Sequence, residues 1–357
     1  MKKWLFAIVA ALLVLSLVVA CGSTPEPTEA PKPTEAAPEP TEPTEGPLRV
    51  GMVSDVGGVD DASFNQNTWE GLVRAQEELG VEVQFIESQA QADYEKNITE
   101  FAEQDYDLIF TVGFLLGDAT GKMAGVYPDT KMAIIDFAYD PPIPNVAGIV
   151  FNVDEASFPI GYLAAGWADL QDPGDPQVGW VGGMQIPPVE QFIVAYEAGV
   201  DYYNQQKGKN VQVKGVYVGD FEAPDEGKIQ GQSLIDEGVD VIFGVGGKTG
   251  NGGIAAAKEN GKWGVGVDVD QYFTLPNEKD ILITSCMKRL DNAVFGVTEA
   301  MINDEFPGGG LYIGTLENDG VGLAPYHDYE DQIPDELTKE VDAIVDCIKK
   351  GEIDTGW

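Results

Sequence analysis

The chain has 357 residues, with 60 Asp and Glu against 21 Lys and Arg, a formal net charge of -39. A nucleic-acid partner needs a basic footprint, so that class is excluded, and docking onto anionic lipid is disfavoured. Hydrophobic residues at 43% and aromatics at 10% exclude disorder along the whole chain. One His and three Cys remove Cys/His zinc sites and leave any Ser/His triad a single base, His327. No metal, no cofactor and no catalytic centre are expected; the chemistry suits a binding scaffold rather than an enzyme.

Lys2 and Lys3 precede an uncharged apolar run from Trp4 to Ala20, the pattern of a secretory signal peptide. The run is about as long as the shortest membrane-spanning helices, so a retained anchor is the competing reading. Its end decides between them. Val18-Val19-Ala20-Cys21 resembles a bacterial lipobox, with small residues before the cleavage point and a thiol after it. Residues 1–20 are thus expected to be removed, and Cys21 to become a diacylated first residue, since two acyl chains anchor stably where one does not. Residues 21–47 are built from Pro, Thr, Glu and Ala, as in Pro25-Glu26-Pro27-Thr28-Glu29. Such a segment has no core to offer and is expected to be a disordered, extended tether rather than a filler tail. Its composition permits O-glycosylation. The location expected is the extracytoplasmic face of the cell membrane, reached through the lipid on Cys21.

From Leu48 onward apolar runs and helical periodicities alternate. Strands are expected at 48–53, 81–86, 108–112, 131–136 and 146–150. A helix capped by Asp60 or Asp61 is expected to begin near Ala62, with apolar residues at helical spacing over 68–79, and another is expected at 94–104. The rhythm then restarts, with helices at 158–170, 189–205, 225–238 and 252–261 and strands at 177–182, 211–217, 239–243, 263–268 and 281–285. Strand, helix, strand at roughly 25–30-residue intervals means parallel α/β units. About 310 residues suit two lobes of about 150 each. The expectation is an α/β chain of two doubly wound parallel-sheet lobes with a ligand cleft between them. One lobe is 48–151 plus about 272–312, and the other is 152–271 plus about 313–357. Crossovers are expected near 150–153, 269–273 and 313–321.

In such folds ligands sit beyond the carboxyl ends of the strands, which picks out the residues there. After the first strand come Asp55, two glycines, and then Phe64 and Asn65 in the first turn of a helix. Phe64 is either a core side chain or a stacking platform with an amide beside it. Asp136 ends another strand, as a helix cap or as a site carboxylate. Phe221 follows the strand at 211–217. The run from Gly244 to Gly253 fails the phosphate-loop pattern, because Ile242 stands where the first glycine belongs; Gly247 and its neighbours read instead as backbone that can lie against a flat ligand. Asp268 ends the strand at 263–268, and Lys288 is a rare positive charge. Two aromatics, several carboxylates, an amide and a lysine, with no nucleophile–base pair, suit recognition of a planar polar ligand. Cys286 and Cys347 are expected to stay unpaired, since nothing in the sequence brings them within disulfide reach.

Asp61-Ala62-Ser63-Phe64-Asn65-Gln66, Trp69-Glu70-Gly71, Thr111-Val112-Gly113-Phe114 and Tyr162-Leu163-Ala164-Ala165-Gly166 occur in that order. Gly247-Lys248-Thr249-Gly250-Asn251-Gly252, Gly266-Val267-Asp268-Val269-Asp270-Gln271 and Met287-Lys288-Arg289 follow. Together, over about 48–323, they resemble the BMP (basic membrane protein) or PnrA-like family. The resemblance implies a type I periplasmic-binding-protein fold and a lipid-anchored substrate-binding protein. It implies a purine nucleoside ligand and an ABC transporter permease as partner, with the chain acting as a monomer. A sensor lipoprotein that presents its ligand for signalling is the alternative. Carried over position by position, Phe64 and Phe221 look like base-stacking aromatics, and Asn65 and Asp136 like base-edge or ribose partners. Asp268 looks like a ribose-hydroxyl acceptor, Lys288 like a donor, and Asp55 and Gly247 like cleft-lining residues. The family name says basic, whereas this chain is strongly acidic.

Overall fold

The computed structural model describes residues 46–357. The expected signal peptide, Cys21 and nearly all of the expected tether lie outside the described residues. The described residues form one compact unit.

Two six-stranded sheets carry the fold. The first has the order β11-β5-β4-β3-β1-β2 and the second β12-β10-β9-β8-β6-β7. Their strands are β1 (Arg49–Ser54), β2 (Glu82–Ile86), β3 (Leu108–Val112), β4 (Lys131–Ile135), β5 (Val146–Phe151) and β11 (Leu311–Gly314), then β6 (Gln177–Gly182), β7 (Gln212–Tyr217), β8 (Val241–Val245), β9 (Trp263–Asp268), β10 (Leu282–Lys288) and β12 (Val321–Leu323). All pairings are parallel except β10 with β12. The central strands β3 and β8 are buried at every position, which is why LIFTV and VIFGV read as continuous apolar runs. The two orders superpose strand for strand: β1 answers β6, β3 answers β8, β4 answers β9, and β5 answers β10.

Helices cover both faces. Those bearing on the site are α1 (Phe64–Leu79), α4 (Val153–Gln171), α5 (Pro187–Lys207), α6 (Pro224–Asp236), α7 (Gly247–Glu259), α8 (Gln271–Thr274), α9 (Leu290–Ile302) and α10 (Asp335–Lys349); α2 (Tyr94–Ala102) and α3 (Gly117–Val126) flank the first sheet. α4 lies against α5 and α10, and α9 against α1. Helix α7 starts five residues before the expected 252, so most of the glycine run is helix. Glycine is needed there for close packing: a Cβ on Gly252 would meet the Pro224 carbonyl oxygen of α6 at 2.1 Å.

One lobe boundary differs from the sequence reading. The span 272–312 was expected in the first lobe, but β10 pairs with β9 and β12 in the second sheet. Only α9 and β11 return to the first lobe, and β11 ends at Gly314. The second crossover is therefore at 288–290, not 269–273, and it matches the first, at 151–153, because β10 is the counterpart of β5. The segment after β9 looks like an exit but is the four-residue α8, which turns back into its own sheet. The third crossover is at 314–321.

Cys286 is buried on β10 and Cys347 lies on α10; both are free thiols. Burial pushes the Cys286 thiol well above its ordinary range. Thiol titration of the unfolded, unreduced soluble chain starting at Leu48 should count two. A count of zero would show a bridge.

Candidate functional site

The strand ends of the two sheets face a cavity enclosing about 600 Å³, its mouth included. It is lined by Asp55, Phe64, Asn65, Asp136, Phe221, Gly247, Asp268 and Lys288, all eight of the residues picked from the sequence. Phe64 enters from the first lobe at the start of α1, and Phe221 from the second lobe between β7 and α6. Both are partly exposed, as a stacking surface must be, and neither is sealed in the core.

The two halves offer matching groups. Asp136 follows β4 and Asp268 ends β9, at equivalent places, and both have φ of 64°. A residue with a Cβ is disfavoured there. The left-handed turn aims each carboxylate over its strand end into the cavity. Gly113 after β3 and Gly246 after β8 are likewise equivalent, with φ of 118° and 124°. A Cβ on Gly246 would stand 2.7 Å from the Gly183 nitrogen and 3.2 Å from the Phe221 ring, so glycine lets that ring sit against the strand end.

Asp61 organises the first wall. Its carboxylate accepts backbone N–H bonds from Ser63, Asn65 and Gln66 at 3.0, 2.9 and 3.1 Å, capping α1 as the sequence suggested. The helix begins at Phe64 rather than near Ala62. The Asn65 side-chain amide donates to Asp55 Oδ1 at 2.9 Å and to Asp61 Oδ2 at 3.2 Å. These two acceptors orient the amide, so Asn65 Oδ1 is left as a buried acceptor with no protein partner, on the cavity wall. A ligand N–H is the natural complement.

The charge is one-sided. Asp55, Asp61, Asp136 and Asp268 line the cavity, and among the described residues Lys288 is the one basic side chain on its wall. Lys288 is 2% exposed and pairs with Asp136 Oδ2 at 2.6 Å. Its ammonium also sits 4.9, 5.2 and 5.9 Å from the ring centres of Phe64, Phe151 and Phe192, within cation–π range. Ser63 Oγ donates to Asp268 Oδ2 across the lobes at 2.6 Å. Burial pushes Asp55, Asp61 and Asp268 each up to about 6. For Asp268 the Lys288 charge and the Ser63 hydroxyl act against that rise.

Phe114, Leu115, Ile186, Pro188, Val189 and Phe192 also line the cavity and are not among the residues picked from the sequence. They follow β3 and β6, so the rule that located the others also covers them. They escaped because apolar residues there read as ordinary core. Among the described residues no group of three His, Cys, Asp or Glu could hold a metal ion, and no helix is long and apolar enough to cross a membrane.

The family model of PnrA-like ABC transporter substrate-binding proteins matches residues 48–356. A CD4+ T-cell-stimulating antigen of Listeria innocua is 32% identical, with 99% of this chain and 98% of that protein covered. Basic membrane protein A of Borreliella burgdorferi is 32% identical, covering 85% of this chain and 86% of its own. Among solved structures, an ABC transporter solute-binding protein from Aeropyrum pernix superposes with a TM-score of 0.81 at 31% identity, over 86% of this chain and 93% of that one.

Proposed function

The chain belongs to the PnrA-like family of ABC transporter substrate-binding proteins, and on that premise we propose that it captures a purine nucleoside outside the cytoplasm and delivers it to an ABC importer. A lipid on Cys21 and the Pro/Thr/Glu segment would hold it at the membrane. The observation that carries the ligand reading is the cavity wall itself. Aromatic faces from opposite lobes, the unpartnered Asn65 carbonyl and strand-end carboxylates from both lobes stand around one space. Phe64 and Phe221 supply the faces for a purine, Asn65 and Asp55 meet its edge, and Asp268 and Asp136 accept ribose hydroxyls, with Lys288 as donor and Gly247 as backbone wall. In this reading the ligand is bound and released unchanged, and incubation with inosine followed by an assay for free base checks it. Mass spectrometry of ligand retained through native purification is the direct test; a retained ligand with no base and no sugar would overturn the reading.

Phe64→Ala and Phe221→Ala should each weaken inosine binding by about 1–3 kcal/mol, the scale of one base–aromatic stack. Calorimetry measures the loss and a thermal melt of the unliganded chain provides the control. A melting point lowered by many degrees with binding intact would make these side chains core instead.

The carboxylate excess also sets a selectivity. A phosphate brought to within about 6 Å of one uncompensated carboxylate meets roughly 3 kcal/mol of repulsion per charge pair at an effective dielectric of about 20. Adenosine should therefore bind at least about 100-fold more tightly than AMP. Equal affinities would remove the carboxylates from ligand contact.

A further inference from the structure

Outside the cavity, side chains of the second lobe converge on two backbone carbonyls of the first. Asn251 Nδ2 of α7 donates to the Asp61 oxygen at 2.9 Å. Gln271 Nε2 and Thr274 Oγ1 of α8 donate to the Ala62 oxygen at 3.2 and 2.9 Å. Gln271 is fully buried and pinned within its own lobe. Its Oε1 accepts from the Val267 N–H at 3.0 Å, its own N–H donates to Ser285 Oγ at 3.1 Å, and its Nε2 also reaches Asn251 Oδ1 at 3.0 Å. Its amide hydrogens are thus aimed before the lobes meet. The receiving residue is distorted to match: Ala62 has φ of 56°, a conformation that disfavours any residue with a Cβ. Neither Asn251, Gln271 nor Thr274 lines the cavity.

We propose that Asn251, Gln271 and Thr274 form a clasp of positioning residues that holds the lobes closed on the ligand and sets its residence time without touching it. This rests on the reading of the cavity as the ligand site. The three bonds exist only when the lobes are together; on opening, the two carbonyls turn to water. Their net strength therefore goes into the closed state alone, and a ligand that must wait for opening dissociates more slowly by that factor. Entry occurs before the clasp forms, so association is untouched. The donors are neutral, so the clasp differs from the Lys248–Asp60 ion pair beside it (2.7 Å) in being insensitive to salt.

The test uses the lipid-free chain from Leu48 with inosine, followed by tryptophan fluorescence in stopped flow. Thr274→Val keeps the side-chain shape and removes one donor; Asn251→Asp turns a donor into an acceptor facing a carbonyl. Thr274→Val should release inosine about fivefold to tenfold faster and the double variant about 100-fold faster, the scale of one and two lost hydrogen bonds. Association should stay within about twofold, and Thr274→Ser should behave as wild type. Small-angle scattering without ligand is read in parallel. Normal binding with unchanged dissociation in both variants overturns the clasp. So does faster release that Thr274→Ser fails to restore. If wild type does not bind inosine but the double variant scatters as a more open particle than wild type, the clasp stands and the nucleoside reading falls. If wild type does not bind and the scattering curves coincide, both fall.

Discussion

Lys288→Met should lower both folding stability and ligand affinity, with a cost of about 3–5 kcal/mol in stability. Lys288 sits at the second crossover, 2% exposed, where β10 hands over to α9. It pairs with Asp136 at 2.6 Å, and its charge also acts on Asp268. Met nearly matches the volume and packs against the same three rings, so the cavity is not emptied. What is lost is the counter-charge. Removing one partner of a buried pair leaves an uncompensated charge, which costs far more than the pair itself contributes. The control is Lys288→Met/Asp136→Asn, which removes both charges and should recover a large part of the loss in a urea titration. Equal destabilisation in the single and double variants would mean that packing, not charge, is the role of Lys288.

The unliganded chain should become more stable as pH falls from 7.5 to about 4. Asp55, Asp61 and Asp268 each titrate near 6 when folded, against an ordinary 3.8, with burial as the first cause. Opposing it are the Asn65 amide and Gly57 N–H at Asp55, three backbone N–H groups at Asp61, and Lys288 and Ser63 at Asp268. A folded value above the unfolded one means that the native state holds the proton more tightly. Below about 3.8 both states are protonated and nothing is lost. Between about 4 and 6 the unfolded chain ionises first, and stability falls as pH rises. Above about 6 the whole penalty is present. One carboxyl moved from 3.8 to about 6 carries about 3 kcal/mol at 1.36 kcal/mol per pH unit, and coupling between the three keeps the total below a simple sum. Acid also relieves the general repulsion of a chain at -39, in the same direction. Melts at about 0.5 M salt screen that contribution and leave the buried one. Asp61→Asn should make the profile between pH 4 and 6 shallower; an unchanged slope would remove Asp61 from the effect. Nucleoside affinity should run the opposite way, weakening as pH drops through 6, because hydroxyls donate to the ionised form of Asp268.

Much of this molecule is legible in the order of its residues. The mostly apolar runs at 108–112, 177–182 and 263–268 coincide with β3, β6 and β9, because a strand covered on both faces is built largely from apolar residues. The strand-end rule, together with the motifs around Phe64, Gly247, Asp268 and Lys288, located residues that fold onto one cavity. Helices α3, α8, α9 and α10 go unassigned in that reading. Sequence alone does not place β10 in its lobe because strand pairing is non-local: 282–288 reads as a strand whichever sheet receives it, and only its partners β9 and β12 decide. The same reason hides the left-handed turns at Asp136 and Asp268, the raised carboxyls and the grip of Asn251, Gln271 and Thr274 on Asp61 and Ala62. Local pattern determines which segments are strands and helices. Which carboxylates are stripped of water, and which donors meet which carbonyls, depends on surfaces nearly 200 residues apart in sequence, and these exist only once the two lobes are packed together.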